Sequence, residues 1–231
     1  MLEEQKNSML KTPTIVLNVK TYTEATADKA LEIAILMNKI SKETGVSMAI
    51  AVQATDIKFC AEKVDIPVFA EHIDPIKPGS HTGWTLPEAV KAAGAVGTLI
   101  NHSEHRLILA DIDVCIMRAK ELSLDHIVCS NNIATSKAIA AFSPNFVAIE
   151  PPELIGGDIS VTTADPGIVS KSVEAVKKIN KNVRVLCGAG VKNSRDVSKA
   201  IELGADGVLL ASGVVKAADK EKVLRDIASG L

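Results

Sequence analysis

Three short stretches of the chain carry side chains that can move a proton beside an anion. NVK (18–20) sets a carboxamide, Asn18, two positions before an ammonium, Lys20. HSE (102–104) follows an imidazole, His102, with a hydroxyl, Ser103, and a carboxylate, Glu104. The apolar run FVAIE (146–150) closes on Glu150, with Pro151 and Pro152 next and the pair Gly156-Gly157 farther on. Two glycine-bearing turns, CGAG (187–190) and ASG (211–213), add backbone N–H groups that can approach an anion, at Gly188 and Gly190 because glycine has no Cβ and ahead of VVKAAD because that stretch suits a short helix. Each piece also has a plain reading. Glu150 could be a solvated end-stop, Lys20 a surface lysine, His102 a core histidine, Glu104 a cap, and the glycines simple turn chemistry. The H-x-x-H spacing of His102 and His105 hints at a metal, but further ligands are not gathered near it and no metal is expected.

What decides among these readings is the scaffold that would carry them. Short β-branched runs alternate with helical patterns from end to end: 14–19, 47–52, 66–71, 97–101, 126–130, 146–150, 183–187 and 207–211 read as strands. They are almost continuously apolar, as parallel strands covered on both faces are. After the first strand, Ala30, Ile33, Met37 and Ile40 recur at helical spacing. Thr85 with Glu88 has the pattern of a capping box with Pro87 in the first turn, and Asn193 and Gly204 bracket another helix. Eight strand-then-helix units predict a single-domain (β/α)8 barrel over 14–231, preceded by a polar tail over 1–13 that is disordered or lies on the surface. An open doubly wound sheet is the alternative, although no G-x-G-x-x-G follows the first strand. In a barrel the polar strand ends Asn18, Lys20, Glu71, His72, Asn101, His102 and Glu150 meet at one face, together with the turns after strands seven and eight.

Composition narrows the classes. The 231 residues carry a net charge of −2, with 47% hydrophobic and 3% aromatic residues, which leaves neither a basic field nor stacking platforms for nucleic acid. No apolar run approaches the roughly 20 residues of a membrane span, and the first residues have no signal-peptide core. Cys60, Cys115, Cys129 and Cys187 are widely spaced without a C-x-x-C pair, so buried free thiols and a cytoplasmic location are expected.

Taken as a set, NVK (18–20), INHSEHR (100–106) and IEPPELIGG (149–157) resemble the triosephosphate isomerase family, in particular its compact archaeal form, from about residue 14 onward. The resemblance implies a cofactor-free aldose–ketose isomerase of glycolysis and gluconeogenesis, acting on a small phosphorylated triose. It implies Glu150 as base, His102 as electrophile and Lys20 as stabilising charge with Asn18 beside it, and Glu104 orienting Lys20. Ile155, Gly190, Ala211 and Ser212 match positions of backbone contacts to substrate, Ser103 supports the motif, and Gly156 falls in the hinge of a mobile lid. PGSHTG (78–83), with Thr82, resembles the loop that reaches into a neighbouring subunit, and Trp84 beside it suits a subunit contact. A homo-oligomer follows, tetramer favoured and dimer possible. The chain departs from larger members at CGAG, where they carry Tyr-Gly-Gly-Ser. Two other functions fit parts of the pattern: a Schiff-base aldolase using Lys20, and a non-catalytic phosphate-binding barrel.

Overall fold

The strand runs close on themselves. In the computed structural model, which describes residues 10–151 and 166–231, β1 (Thr14–Asn18), β2 (Ser47–Val52), β3 (Val68–Ala70), β4 (Gly97–Ile100), β5 (Asp125–Ser130), β6 (Phe146–Ile149), β7 (Arg184–Cys187) and β8 (Gly207–Leu210) pair in chain order, all parallel. β8 returns to β1, with Thr14 opposite Gly207 and Leu17 opposite Leu210. That closure removes the open-sheet alternative. Around the barrel run α1 (Asp28–Thr44), α2 (Ile57–Ala61), α3 (Pro87–Ala92), α4 (Leu109–Glu121), α5 (Ile133–Ala141), α6 (Pro166–Ile179), α7 (Ser194–Glu202), α8 (Ser212–Val215) and α9 (Lys220–Ala228). Among the described residues no helix is long and apolar enough to cross a membrane.

The period of two along each strand divides the apolar residues into two cores. Val16, Ala49, Ala51, Phe69, Leu99, Ile127, Phe146 and Leu186 face inward, where small alanines leave room for the two phenylalanines. Ile15, Leu17, Ile50, Val128, Val147 and Val185 face outward and pack with helix residues such as Ile33, Met37 and Ile40. The predicted helical face of α1 is therefore its buried one. All four cysteines are free and buried, as expected. Burial pushes the thiols of Cys60 and Cys187 up to about 11 and about 12 respectively, so they are poor nucleophiles.

Two local expectations fail. The tail was expected to be disordered or to lie on the surface through residue 13, yet Leu10 is fully buried among the inward-facing residues. Its N–H donates to Asp125 Oδ2 at 3.2 Å and its carbonyl accepts from Arg184 Nη1 at 3.0 Å, which plugs the end of the barrel where strands begin. The Thr85–Glu88 capping box does not form either. α3 starts at Pro87 with Leu86 ahead of it, Thr85 N–H donates to Asp74 Oδ2, and Glu88 is drawn away by the buried guanidinium of Arg118. The Asn193 cap does form, accepting from Asp196 N–H at 3.1 Å, and Gly204 takes the left-handed φ of +92° past α7.

Candidate active site

At the opposite end, where the strands finish, the backbone leaves a cavity of about 440 Å³. Asn18 enters it from the last position of β1, Lys20 from the turn after β1, His102 from the turn after β4, and Glu150 from the position just after β6. Gly188 and Gly190 line it after β7, and Ala211, Ser212 and Gly213 after β8. Of the residues singled out in the sequence, Asn18, Lys20, His102, Glu150, Gly190, Ala211 and Ser212 thus come together. Thr82 is exposed in its loop and is not among the lining residues. Ile155 and Gly156 lie outside the described residues.

The first turn is held in an uncommon conformation. Lys20 has φ +51°, and its N–H donates to Asn18 Oδ1 at 2.9 Å. A left-handed lysine needs such compensation. The side chain then crosses to the fourth strand, where Nζ pairs with Glu104 Oε1 at 3.0 Å, and the ammonium faces the cavity from a largely buried position.

His102 is positioned by the residue that holds Lys20. The Glu104 backbone N–H donates to His102 Nδ1 at 3.2 Å. A backbone N–H can only donate, so Nδ1 is the acceptor and the ring proton sits on Nε2, a tautomer assigned from this hydrogen bond. Glu104 Oε2 also approaches Nδ1, at 3.4 Å, but with the lone pair already engaged this contact is not an ion pair. Nε2 points at Glu150 Oε1 across 3.1 Å. An imidazole N–H and a carboxylate therefore face each other at the cavity floor.

Glu150 is buried, with 2% of its surface exposed, and its N–H donates to Ser130 O at 2.8 Å. Its Oε2 has no hydrogen-bond partner among the described residues. Below it lies Cys129, whose thiol is pushed well above its ordinary range by burial first and by the Glu150 carboxylate second. Beside it lies Gly188. A Cβ there would stand 2.8 Å from Glu150 Cγ and 3.0 Å from Ile149 O, so only glycine leaves the carboxylate its present place. Gly188, in sequence part of a turn suited to an anion, thus also bears directly on Glu150, a relation that no local pattern announces. Tyr22, Lys192 and Lys216 were also missed as lining residues, because nothing in their spacing ties them to the motifs. Lys216 Nζ stands 4.5 Å from the centre of the Tyr22 ring, a cation–π contact at the rim.

On the β7–β8 side the features that suit an anion are backbone ones. Gly190 adopts φ +68°. The hydrogen bonding of α8 begins with Val214 N–H to Ala211 O at 3.1 Å, so the N–H groups of Ser212 and Gly213 precede it at the cavity edge. A base, a neutral N–H donor, an ammonium and this backbone edge are what abstraction of a proton next to a carbonyl requires in a phosphorylated substrate. Among the described residues no group of three or more His, Cys, Asp and Glu is placed to hold a metal ion.

Comparison with known proteins places the chain in a family. Residues 13–229 match the sequence profile described as Triosephosphate isomerase. The chain belongs to the triosephosphate isomerase family. It is 54% identical to the triosephosphate isomerase of Methanocaldococcus jannaschii, over 92% of this chain and 97% of that protein. It is 52% identical to that of Methanobrevibacter smithii, over 96% of this chain and 100% of that protein. The crystal structure of the triosephosphate isomerase from Bartonella henselae superposes with a TM-score of 0.75 at 17% identity, covering 94% of this chain and 98% of that one, and so shares the barrel fold. The family membership and the archaeal likeness expected from the three motifs are thereby established.

Proposed function

We propose that this family member interconverts dihydroxyacetone phosphate and D-glyceraldehyde 3-phosphate, a step of glycolysis and gluconeogenesis, with its own side chains as the only catalysts. Glu150 takes the proton from C1 of the ketose as the C1–H pair moves to form the enediolate and negative charge gathers on the C2 oxygen. His102 Nε2–H donates to that oxygen and exchanges its proton with the neighbouring oxygen, and Glu150 returns its proton to C2. Lys20, turned inward by Asn18 and held by Glu104, stabilises the negative charge. Gly190, Ala211 and Ser212 hold the phosphate through the backbone. Glutamate as base with a neutral imidazole as electrophile is the established pattern of triosephosphate isomerases. The observation that carries the assignment here is the buried pair Glu150 Oε1 and His102 Nε2 at 3.1 Å, with the imidazole proton directed to Nε2 by the Glu104 N–H. The aldolase reading of Lys20 is disfavoured by its ion pair with Glu104, since imine formation needs the neutral amine.

A coupled isomerase assay tests the roles. Glu150→Gln is expected to lose at least roughly 10²-fold in kcat, the lower range of what a positioned acid–base group supplies. An unchanged kcat removes Glu150 from the mechanism. The protein is proposed to act in the cytoplasm as a homo-oligomer, a tetramer in preference to a dimer. The exposed Trp84, Ile108, Leu109 and Met117 support burial against further copies. Light scattering that returned the mass of a single chain would contradict the assembly.

A further inference from the structure

The mouth of the barrel carries more positive charge than the proposed reaction uses. Lys20, Lys192 and Lys216 line it from beyond β1, β7 and β8, and among the described residues Glu150 is the only carboxylate that lines it. The chain as a whole has a net charge of −2, so this balance is local. Lys20 and Lys216 are held in different ways. Lys20 Nζ pairs with Glu104 Oε1 at 3.0 Å, which cancels part of its charge. Lys216 Nζ instead stands 4.5 Å from the centre of the Tyr22 ring, and among the described residues no carboxylate pairs with it. A ring face restrains an ammonium without neutralising it, whereas an ion pair restrains it with an opposite charge. The charge of Lys216 is therefore left for a ligand.

Both sides of this contact are anchored. The Tyr22 carbonyl accepts from Ala25 N–H at 2.9 Å and from Thr26 Oγ1 at 3.0 Å, and its side chain packs against the core between barrel and helices. On the other side Val214 and Val215 are fully buried, and Lys216 N–H donates to Ser212 O at 3.0 Å, closing α8. β1 and β8 are hydrogen-bonded neighbours, so barrel closure is what sets the two turns side by side. We infer that Lys216 is an anion-binding residue of this site, whose ammonium draws in and holds the phosphate of the substrate, and that Tyr22 is the positioning residue that keeps it over the mouth. The inference rests on the reading of the site as one for a phosphorylated triose. It adds a side-chain cation to the backbone contacts of Gly190, Ala211 and Ser212, and Lys216 stands one helical turn beyond Ser212. The division of labour follows from the partners. Lys20, tied to Glu104 beside His102, serves the charge that develops during reaction; Lys216, tied to a neutral ring, serves the charge the substrate brings with it.

Isomerase kinetics and sulfate binding, both on the full chain, test this; sulfate serves as a dianion that cannot react. In Lys216→Met the KM for the triose phosphate and the sulfate dissociation constant, from NMR titration, should each rise roughly fivefold, the scale of one charge near a dianion at a solvated site. The loss should fall on KM rather than on kcat. Lys216→Arg should restore both values, because a guanidinium keeps the charge and stacks on a ring. The decline of kcat/KM with added salt should be shallower in Lys216→Met than in the wild type, since screening acts on the charge that was removed. Tyr22→Leu should raise KM roughly twofold, the scale of an exposed cation–π contact, while Tyr22→Phe keeps the ring face and stays near the wild-type value. Wild-type KM and sulfate affinity in Lys216→Met, an unaltered salt slope there, or equal effects of Tyr22→Leu and Tyr22→Phe overturn the proposal. The two readings fail separately. A protein without isomerase activity whose sulfate affinity still falls in Lys216→Met keeps the anion site and loses the triose phosphate, whereas normal turnover with unaltered KM and sulfate affinity in that variant refutes Lys216 alone.

Discussion

The two ends of the barrel treat buried polar groups in opposite ways. At the floor, where strands begin, charges are matched to backbone. Asp125 accepts from Leu10, Arg184 donates to the Leu10 carbonyl and stands 5.3 Å over the Phe146 ring, and Asp206 accepts from Val185 N–H at 2.8 Å. At the mouth, Glu71, Ser103 and Glu150 each leave a buried oxygen without a partner among the described residues. An unpartnered buried polar atom costs about 1–3 kcal/mol, so the mouth gathers three such destabilising features, whereas the floor sets one, His126 Nε2, among its matched charges. Such an arrangement is what a site needs if its hydrogen bonds are to be completed by a substrate. The difference teaches that position along a strand, rather than residue type, separates groups that hold the barrel together from groups free to do chemistry.

The contrast can be broken from either side. The largest effect on stability belongs to the floor. Leu10→Ala should cost about 3 kcal/mol in denaturant unfolding, the typical loss for a buried leucine, with kcat and KM nearly unaltered. A fall in kcat comparable to a mouth variant would erase the distinction. Next comes His126, on β5 beside Asp125. Burial above all lowers its imidazole to about 4; Nδ1 lies 3.0 Å from the Leu124 carbonyl and Nε2 is unpartnered. Between about 6.5 and 4 the unfolded chain binds a proton that the folded one refuses, so its contribution to stability is lost as pH falls through that window. The loss reaches roughly 3 kcal/mol at most. The Glu71 carboxyl, pushed up to about 7 chiefly by burial, slopes the other way over part of the range, so the informative quantity is the difference between wild type and His126→Leu. A difference independent of pH would refute the assignment. Smallest is Gly188→Ala. The added Cβ displaces Glu150, and about a tenfold loss of kcat is expected with little change in unfolding free energy, given how sensitive proton transfer is to placement. A normal kcat would show that Glu150 has more latitude than the contact suggests.

Much of this was legible in the sequence, for identifiable reasons. The strands stood out because runs such as TIVLN and VAI are β-branched and bounded by polar turns. Their two faces did not, since both are apolar and only barrel closure assigns Val16 inward and Leu17 outward. Leu10 was missed because a single leucine in a polar tail has no periodicity to betray its burial. The Thr85–Glu88 cap misled because Arg118, thirty positions on from Glu88, competes for the glutamate and no local pattern announces a partner that far away. At the site, Asn18, Lys20, His102 and Glu150 were readable from motifs at strand ends. Gly188 bears on Glu150 from the adjacent strand, and that relation exists only after the barrel closes.

The central claim is that Glu150, whose carboxylate keeps one unpartnered oxygen at the mouth, is held for reaction and not for stability. The direct test measures kcat and unfolding free energy together in Glu150→Gln. The account predicts a kcat lower by at least roughly 10²-fold with stability unchanged or slightly raised, because the amide removes a buried charge that lacks a second partner. A kcat close to wild type, or a loss of stability large enough to explain the loss of activity, would contradict it.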